Sequence, residues 1–392
     1  MDNAQVKIKP SWRTELVGEY YFSHKLRQID EMRKAGADII NLGIGSPDLP
    51  PSPAVIAKLN EASNQAGVHG YQNYKGIPAL RKAFADWYME YFGVQLDPEK
   101  EILPLMGSKE GIMHISMAFL NQDDEVLVPD PGYPTYTSVT KMAGGAVRAY
   151  PLSEKQNWYP DLHALADSDL SNVKIMWVNY PHMPTGTRGN RILFENLVAF
   201  AHRHHILLCN DNPYSFILNS DHLSILSVDG AKEVALELNS MSKSHNMAGW
   251  RIGMVAGHEE YLAEIIKMKS NMDSGMFQPL QQAAVVALNS PGDWYRTVNE
   301  IYGKRRKLVE TLMHTLNCTF DRNQTGLFVW GKIPVNYANG EELTEEILHK
   351  KHIFITPGMV FGSQGDGYIR ISLCANETML QKAIERLSTV NT

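Results

Sequence analysis

Four short apolar runs dominate the middle of the chain: Glu125-Val126-Leu127-Val128, Val173-Lys174-Ile175-Met176-Trp177-Val178, Ile206-Leu207-Leu208-Cys209 and Val234-Ala235-Leu236-Glu237-Leu238. Helical stretches separate them. Buried strands alternating with helices predict an α/β fold, a mostly parallel sheet with helices on both faces. Ligands of such sheets bind beyond the carboxyl ends of the strands. A polar motif follows each run, at 129–136, 179–186, 210–214 and 240–243, so one site assembled from four separate pieces of sequence is expected.

The last motif carries the most reactive group. Ser240-Met241-Ser242-Lys243-Ser244 leads through Asn246-Met247-Ala248-Gly249-Trp250 to Arg251. A lysine near a second cation and partly desolvated loses proton affinity, and its neutral amine can attack a carbonyl to form a Schiff base. The hydroxyls of Ser240 and Ser242 with the guanidinium of Arg251 suit a phosphate dianion. A phosphorylated aldehyde meets both demands. A lysine among serines is ordinarily a solvated loop, so the neighbouring motifs must decide between the two.

With 392 residues, the chain is long enough for two domains and a large core. A net charge of −6 argues against a general nucleic-acid surface. Cys209, Cys318 and Cys374 are far apart with no CxxC pair, which indicates neither a disulfide framework nor a zinc site and fits a reducing cytoplasm. Residues 1–12 are polar, so no secretory signal is expected, and no stretch is long and uncharged enough to span a membrane.

The run Ile39-Ile40-Asn41-Leu42-Gly43-Ile44-Gly45-Ser46-Pro47-Asp48 contains a Gly-x-Gly, yet no third glycine follows at the dinucleotide-loop spacing and prolines replace the helix. Gly45 instead suits either a turn or a close backbone approach to a small ligand. A helix ending near Gly36 is expected from Leu26, Ile29 and Met32, and another over 79–91 from Leu80, Phe84 and Trp87. Leu105-Met106-Gly107-Ser108-Lys109-Glu110-Gly111 precedes a helix expected over 112–120, and a glycine turn feeding a helix N-terminus offers free N–H groups to a phosphate. His202, His204 and His205 lack the spacing of a helical ligand pair and sit at a helix end, so no metal is assigned to them. Past Ser290 the pattern becomes a charged helix over 294–316 and short strands near 326–330 and 368–373, a smaller α+β domain.

Taken together, these pieces resemble the pyridoxal-phosphate aminotransferases of fold type I, class I/II. Gly107-Ser108-Lys109-Glu110-Gly111, Pro129-Asp130-Pro131-Gly132-Tyr133-Pro134 and Asn246-Met247-Ala248-Gly249-Trp250-Arg251 look most like the alanine/glutamate and LL-diaminopimelate branches. The resemblance implies a seven-stranded, mostly parallel sheet. It divides the chain into an arm with part of the small domain at 1–48, a cofactor domain at 49–290 and a C-terminal small domain at 291–392. It implies pyridoxal 5′-phosphate as cofactor, joined to Lys243, which moves the proton during catalysis. Asp211 is expected at the pyridine nitrogen, Tyr214 at the ring oxygen and Tyr133 on the ring face. Ser108, Lys109, Ser240, Ser242 and Arg251 are expected at the phosphate, with Tyr71 arriving from a partner subunit. Arg370 is expected to hold the substrate α-carboxylate, with Gly45, Tyr20 and Lys109 completing the substrate side.

The implied activity is ping-pong transfer of an amino group between an amino acid and a 2-oxo acid by a cytoplasmic homodimer, without nucleic-acid or membrane partners. A lyase eliminating at Cβ on the same fold and a non-enzymatic ligand-sensing domain are the alternatives. One position departs from the pattern. In Tyr180-Pro181-His182-Met183-Pro184-Thr185-Gly186 the family usually carries asparagine where this chain has Met183, and a thioether is a weak acceptor that cannot donate. The polar contacts of that asparagine are lost unless His182, Asn179 or water supplies them.

Overall fold

The computed structural model describes residues 8–389, so most of the stretch 1–12 read for a secretory signal lies outside the described residues. A seven-stranded sheet runs in the spatial order Ile102–Leu105, Gly253–Gly257, Ala235–Ser240, Leu207–Asp211, Val173–Val178, Glu125–Asp130, Ala146–Pro151. Gly253–Gly257 is antiparallel to both its neighbours, and every other pairing is parallel.

Both faces of the sheet are covered, which is why its central strands read as unbroken apolar runs. Alternate residues divide between two cores. Ile175, Trp177, Leu207 and Cys209 pack with Ile112, Ile115 and Ile265 of helices Ser108–Phe119 and Glu259–Ser270. Met176, Val178 and Leu208 face Leu80, Phe84, Leu197 and Ala284 of helices Pro78–Phe92, Arg191–His204 and Gln278–Leu288. Full burial of each such aliphatic side chain is worth about 1.5–3 kcal/mol.

A third core gathers the long helix Asp293–Thr315, the helix Glu377–Ser388 and an antiparallel sheet of Thr356–Pro357, Tyr368–Ser372 and Phe328–Lys332. The N-terminal segment joins this layer, because Ile40–Asn41 pairs in parallel with Ile353–Phe354. Arg305, buried on the long helix, clamps Asp48 through both terminal nitrogens at 2.6 and 2.9 Å. The loop carrying Gly45 is thereby fastened at its far end.

Three strands of the seven-stranded sheet were not legible in the sequence. Ile102–Leu105 contains Pro104 and is tolerated because it lies at the sheet edge. Ala146–Pro151 is the other edge and largely solvent-facing, so it lacks a continuous apolar run. Gly253–Gly257 is bounded by glycines. The helix expected at 112–120 starts earlier, at Ser108, with Gly107 as its cap at φ 86°. His202 bonds the Gly230 carbonyl at 3.0 Å, His204 packs on Phe200, and His205 is the left-handed cap of its helix. Among the described residues, no helix is long and apolar enough to cross a membrane.

Candidate active site

All four polar motifs meet in a cleft of about 630 Å³ at the carboxyl ends of the parallel strands, walled on its far side by the C-terminal layer. Strand Ala235–Ser240 ends directly in the helical turn Met241–Ser244. Ser240 caps that turn, its Oγ accepting from Ser242 N at 3.2 Å, which fixes the direction of Lys243. Lys243 Nζ donates to the carbonyl of Gly45. Burial lowers the pKa of Lys243, and Arg370 and Arg251 lower it further against an opposing contribution from Cys374. An amine deprotonated more easily than ordinary lysine is the nucleophile that carbonyl chemistry needs.

Below it lies an anion seat. Arg251, itself left-handed at φ 57°, donates to Ala248 O at 2.9 Å and Ser242 Oγ at 3.4 Å. Gly107 stands beside it at φ 86°, a backbone conformation that calls for glycine, and a Cβ there would stand 2.2 Å from Arg251 Nη2. Ser108 opens the twelve-residue helix behind that glycine, so unpaired N–H groups and the positive helix end face the same point.

Asp211 ends its strand fully enclosed. Tyr136 Oη donates to its Oδ2 at 3.0 Å while Oδ1 has no partner, although buried. Burial raises its pKa to about 7, against the hydrogen bond from Tyr136 and the nearby Ser108 hydroxyl, which lower it. A buried carboxylate oxygen without a partner is costly unless a cationic or N–H group meets it. Tyr133 and Tyr214 line the cleft next to it, and burial raises the pKa of both phenols.

Arg370 stands in the middle of strand Tyr368–Ser372 with its guanidinium between two rings, 3.8 Å from the centroid of Phe328 and 4.5 Å from that of Phe361. It donates to Gly43 O at 2.8 Å and to Met183 Sδ at 3.3 Å, and its Nε is unpartnered. Burial lowers its pKa to about 10. Lys109 and Tyr20 line the opposite rim, with Lys109 Nζ 5.0 Å from the Tyr20 ring. Gly45 is a necessary glycine, because a Cβ there would fall 2.2 Å from Phe328.

Every residue expected at the site therefore lines this cleft except Tyr71, which is 93% exposed on a separate loop. Neither foreseen side chain replaces the expected asparagine directly, because Asn179 is bonded elsewhere and His182, although its Nε2 has no partner, does not line the cleft. Asn179 donates to the main-chain carbonyl of Asp211 and accepts from Met183 N, while His182 is buried against Thr185 with its pKa lowered to about 3. Tyr136, Phe22, Phe328 and Phe361 were missed. Tyr136 carried a signal, since it follows Tyr133 by three residues at the start of helix Pro134–Ala143 and so shares its face.

A lysine at the carboxyl end of a parallel sheet, with an anion seat on one side and a buried carboxylate on the other, defines the class of fold type I enzymes. The chain belongs to the family aminotransferase class I and II, whose profile matches residues 37–387. It is similar to the LL-diaminopimelate aminotransferase of Dehalococcoides mccartyi (strain ATCC BAA-2266 / KCTC 15142 / 195), 39% identical over 97% of this chain and 98% of that protein. The like-named protein of Desulforudis audaxviator (strain MP104C) is 40% identical, with 94% of each chain covered. Among solved structures, apo-BacF from Bacillus subtilis aligns with a TM-score of 0.93 at 34% identity, covering 97% of this chain and 98% of that one. This protein is a pyridoxal-phosphate-dependent transaminase, taking an amino acid and a 2-oxo acid as substrates. The residues present fit the cofactor: a free buried oxygen of Asp211 suits a protonated pyridine nitrogen, the Gly107 cradle a phosphate, and Lys243 an aldehyde.

Proposed function

We propose that the transaminase works by a ping-pong exchange in which Lys243 is both the attachment point of the cofactor and the group that moves the proton. Pyridoxal phosphate, when bound, supplies an electron sink for the pair released at the substrate Cα. Lys243 takes the proton from Cα and returns it at C4′ as base and then acid. Asp211 keeps the pyridine nitrogen protonated through its free oxygen, and Tyr136 holds its other oxygen in place. Tyr214 donates to the ring oxygen, and Tyr133 covers a ring face. Ser240, Ser242, Arg251 and the N–H groups of Ser108 and Lys109 bind the phosphate. Arg370 takes the α-carboxylate, its fork held in one plane by Phe328 and Phe361.

The observation that carries this reading is the meeting of the lowered-pKa amine of Lys243, the free oxygen of Asp211 and the fork of Arg370 in one cleft. We further propose the division 1–48, 49–290 and 291–392, a cytoplasmic location, and a homodimer in which Tyr71 reaches the partner's phosphate seat. In the test, an amino acid alone should change the visible absorbance of the loaded protein once, and a 2-oxo acid should restore it. Release of pyruvate and ammonia without an acceptor would instead make the protein a lyase. Lys243→Ala should lose borohydride-fixable attachment of the cofactor and nearly all turnover, and a variant that retains either removes Lys243 from its assigned role.

A further inference from the structure

From Arg370 outward, a row of side chains crosses the substrate side of the cleft. The Arg370 guanidinium lies 5.8 Å from the Phe22 ring centroid, the Phe22 ring 5.6 Å from that of Tyr20, and the Tyr20 ring 5.0 Å from Lys109 Nζ. Leu26, one helical turn beyond Phe22 on Tyr21–Lys34, and Ile44 line the same space. Among the described residues, the charged groups of the lining are four cations, Lys109, Lys243, Arg251 and Arg370, and one carboxylate, Asp211. That carboxylate is buried beneath Tyr136, away from this row.

A substrate whose α-carboxylate sits on Arg370 can lay its side chain along Phe22 and then Tyr20. Those rings and the two aliphatic residues reward apolar surface taken out of water. A second ammonium carried along the same path ends against Lys109, and among the described residues no acidic side chain of the row is free to pair it, since Glu19, beside Tyr20, is bonded to Arg27 and Ser23. We propose that Tyr20, Phe22, Leu26 and Ile44 form the side-chain subsite, and that it selects amino acids with an aromatic or large apolar side chain, and their 2-oxo acids, against those bearing a distal ammonium. The inference rests on Arg370 as the carboxylate anchor, and it parts this chain from the substrate in its relatives' names.

The test pairs binding with chemistry. By calorimetry, the cofactor-loaded protein should bind 3-phenylpropionate at least about 10-fold more tightly than 6-aminohexanoate, the scale on which apolar pockets discriminate. Phe22→Ala should abolish most of that difference. In half-reactions followed by cofactor absorbance, kcat/KM should be about 10- to 100-fold higher for phenylalanine than for alanine, with lysine and LL-diaminopimelate at or below alanine. Phe22→Ala should lower the phenylalanine value about 10-fold more than the alanine value. Faster reaction of LL-diaminopimelate than of phenylalanine, or an equal loss for phenylalanine and alanine in the variant, overturns the subsite. A protein that responds to no amino acid overturns the roles of Lys243 and Arg370 and this proposal with them.

Discussion

Tyr136 occupies one oxygen of Asp211 at 3.0 Å and leaves the other buried and unpaired, so the carboxylate is aimed before any ligand meets it. Stacking fixes the aim in turn, since the Tyr136 ring lies parallel to Trp177 at 5.0 Å. Glu237, one strand over, is also fully buried, accepting from Tyr88, Asn210 and the Ile225 N–H. Its charge adds to the burial that raises the pKa of Asp211. The cofactor-free enzyme thus holds a carboxyl group that resists ionisation until a cation arrives.

A pH dependence of stability follows. The folded pKa of Asp211, about 7, exceeds the ordinary 3.8, so its contribution is fully present below pH 3.8 and is lost as pH rises through 7. Three pKa units correspond to on the order of 4 kcal/mol. Cofactor-free Asp211→Asn should therefore gain stability over wild type as the pH moves from 5 to 8, read as the gap between urea midpoints. Parallel midpoints at both values would show that Asp211 ionises as an exposed carboxylate does.

Gly107 and Arg251 form a pair in which one residue's lack of a side chain makes room for the other. Gly107→Ala puts a methyl group 2.2 Å from Arg251 Nη2 and asks alanine to hold φ 86°. Arg251 must move, and the charge-assisted bonds it offers a phosphate are each worth about 1.5–3 kcal/mol. Affinity for pyridoxal phosphate, measured by equilibrium dialysis, should fall about 10- to 100-fold. Unchanged affinity would place the phosphate elsewhere.

The sheet's interior was legible in the sequence because a parallel strand covered on both faces must be apolar throughout, as in Val173–Val178 and Leu207–Asp211. Its edges were not: Ala146–Pro151 is largely solvent-facing and so released from that demand, while Ile102–Leu105 is buried and apolar but carries Pro104, which an interior strand would not tolerate. Lys243, Asp211 and Arg370 could be named because their chemistry is rare in an apolar setting and their motifs resemble a family. Phe328 and Phe361 have no local signature, and only their approach to Arg370 gives them a role, as does that of Tyr136 to Asp211. The clamp of Arg305 on Asp48 joins positions remote in sequence and has no local signature.

Exposure of Tyr71 makes the proposed dimer testable by complementation. Tyr71→Phe and Lys243→Ala protomers should each be weakly active alone. Mixed by unfolding and refolding together, they form heterodimers in which one site pairs an intact Lys243 with an intact Tyr71. Activity should rise to about a quarter of wild type, because half of the dimers are mixed and each carries one complete site of two. No gain on mixing, with sedimentation showing an active monomer, would make Tyr71 an ordinary surface residue.

Met183 stands where the resemblance leads one to expect asparagine, and its surroundings set what that replacement should do. Its Sδ receives Arg370 Nη1 at 3.3 Å, a weak acceptor for a strong donor, while Asn179 is bonded to Asp211 O and Met183 N and His182 lies outside the cleft lining. Met183→Asn supplies an amide whose oxygen can accept from Arg370 and whose NH₂ can donate into the cleft. A new donor to the anionic ring oxygen of the bound cofactor favours its deprotonated form, worth about 1.5–3 kcal/mol or roughly one to two pKa units. The pH midpoint of the visible absorbance of Met183→Asn should therefore lie below that of wild type. The same amide, turned toward the α-carboxylate, should tighten binding of 3-phenylpropionate, which calorimetry reads independently of turnover. Coincident titration curves with unchanged binding would mean that position 183 does not address the ring, and that Arg370 meets the carboxylate without its help.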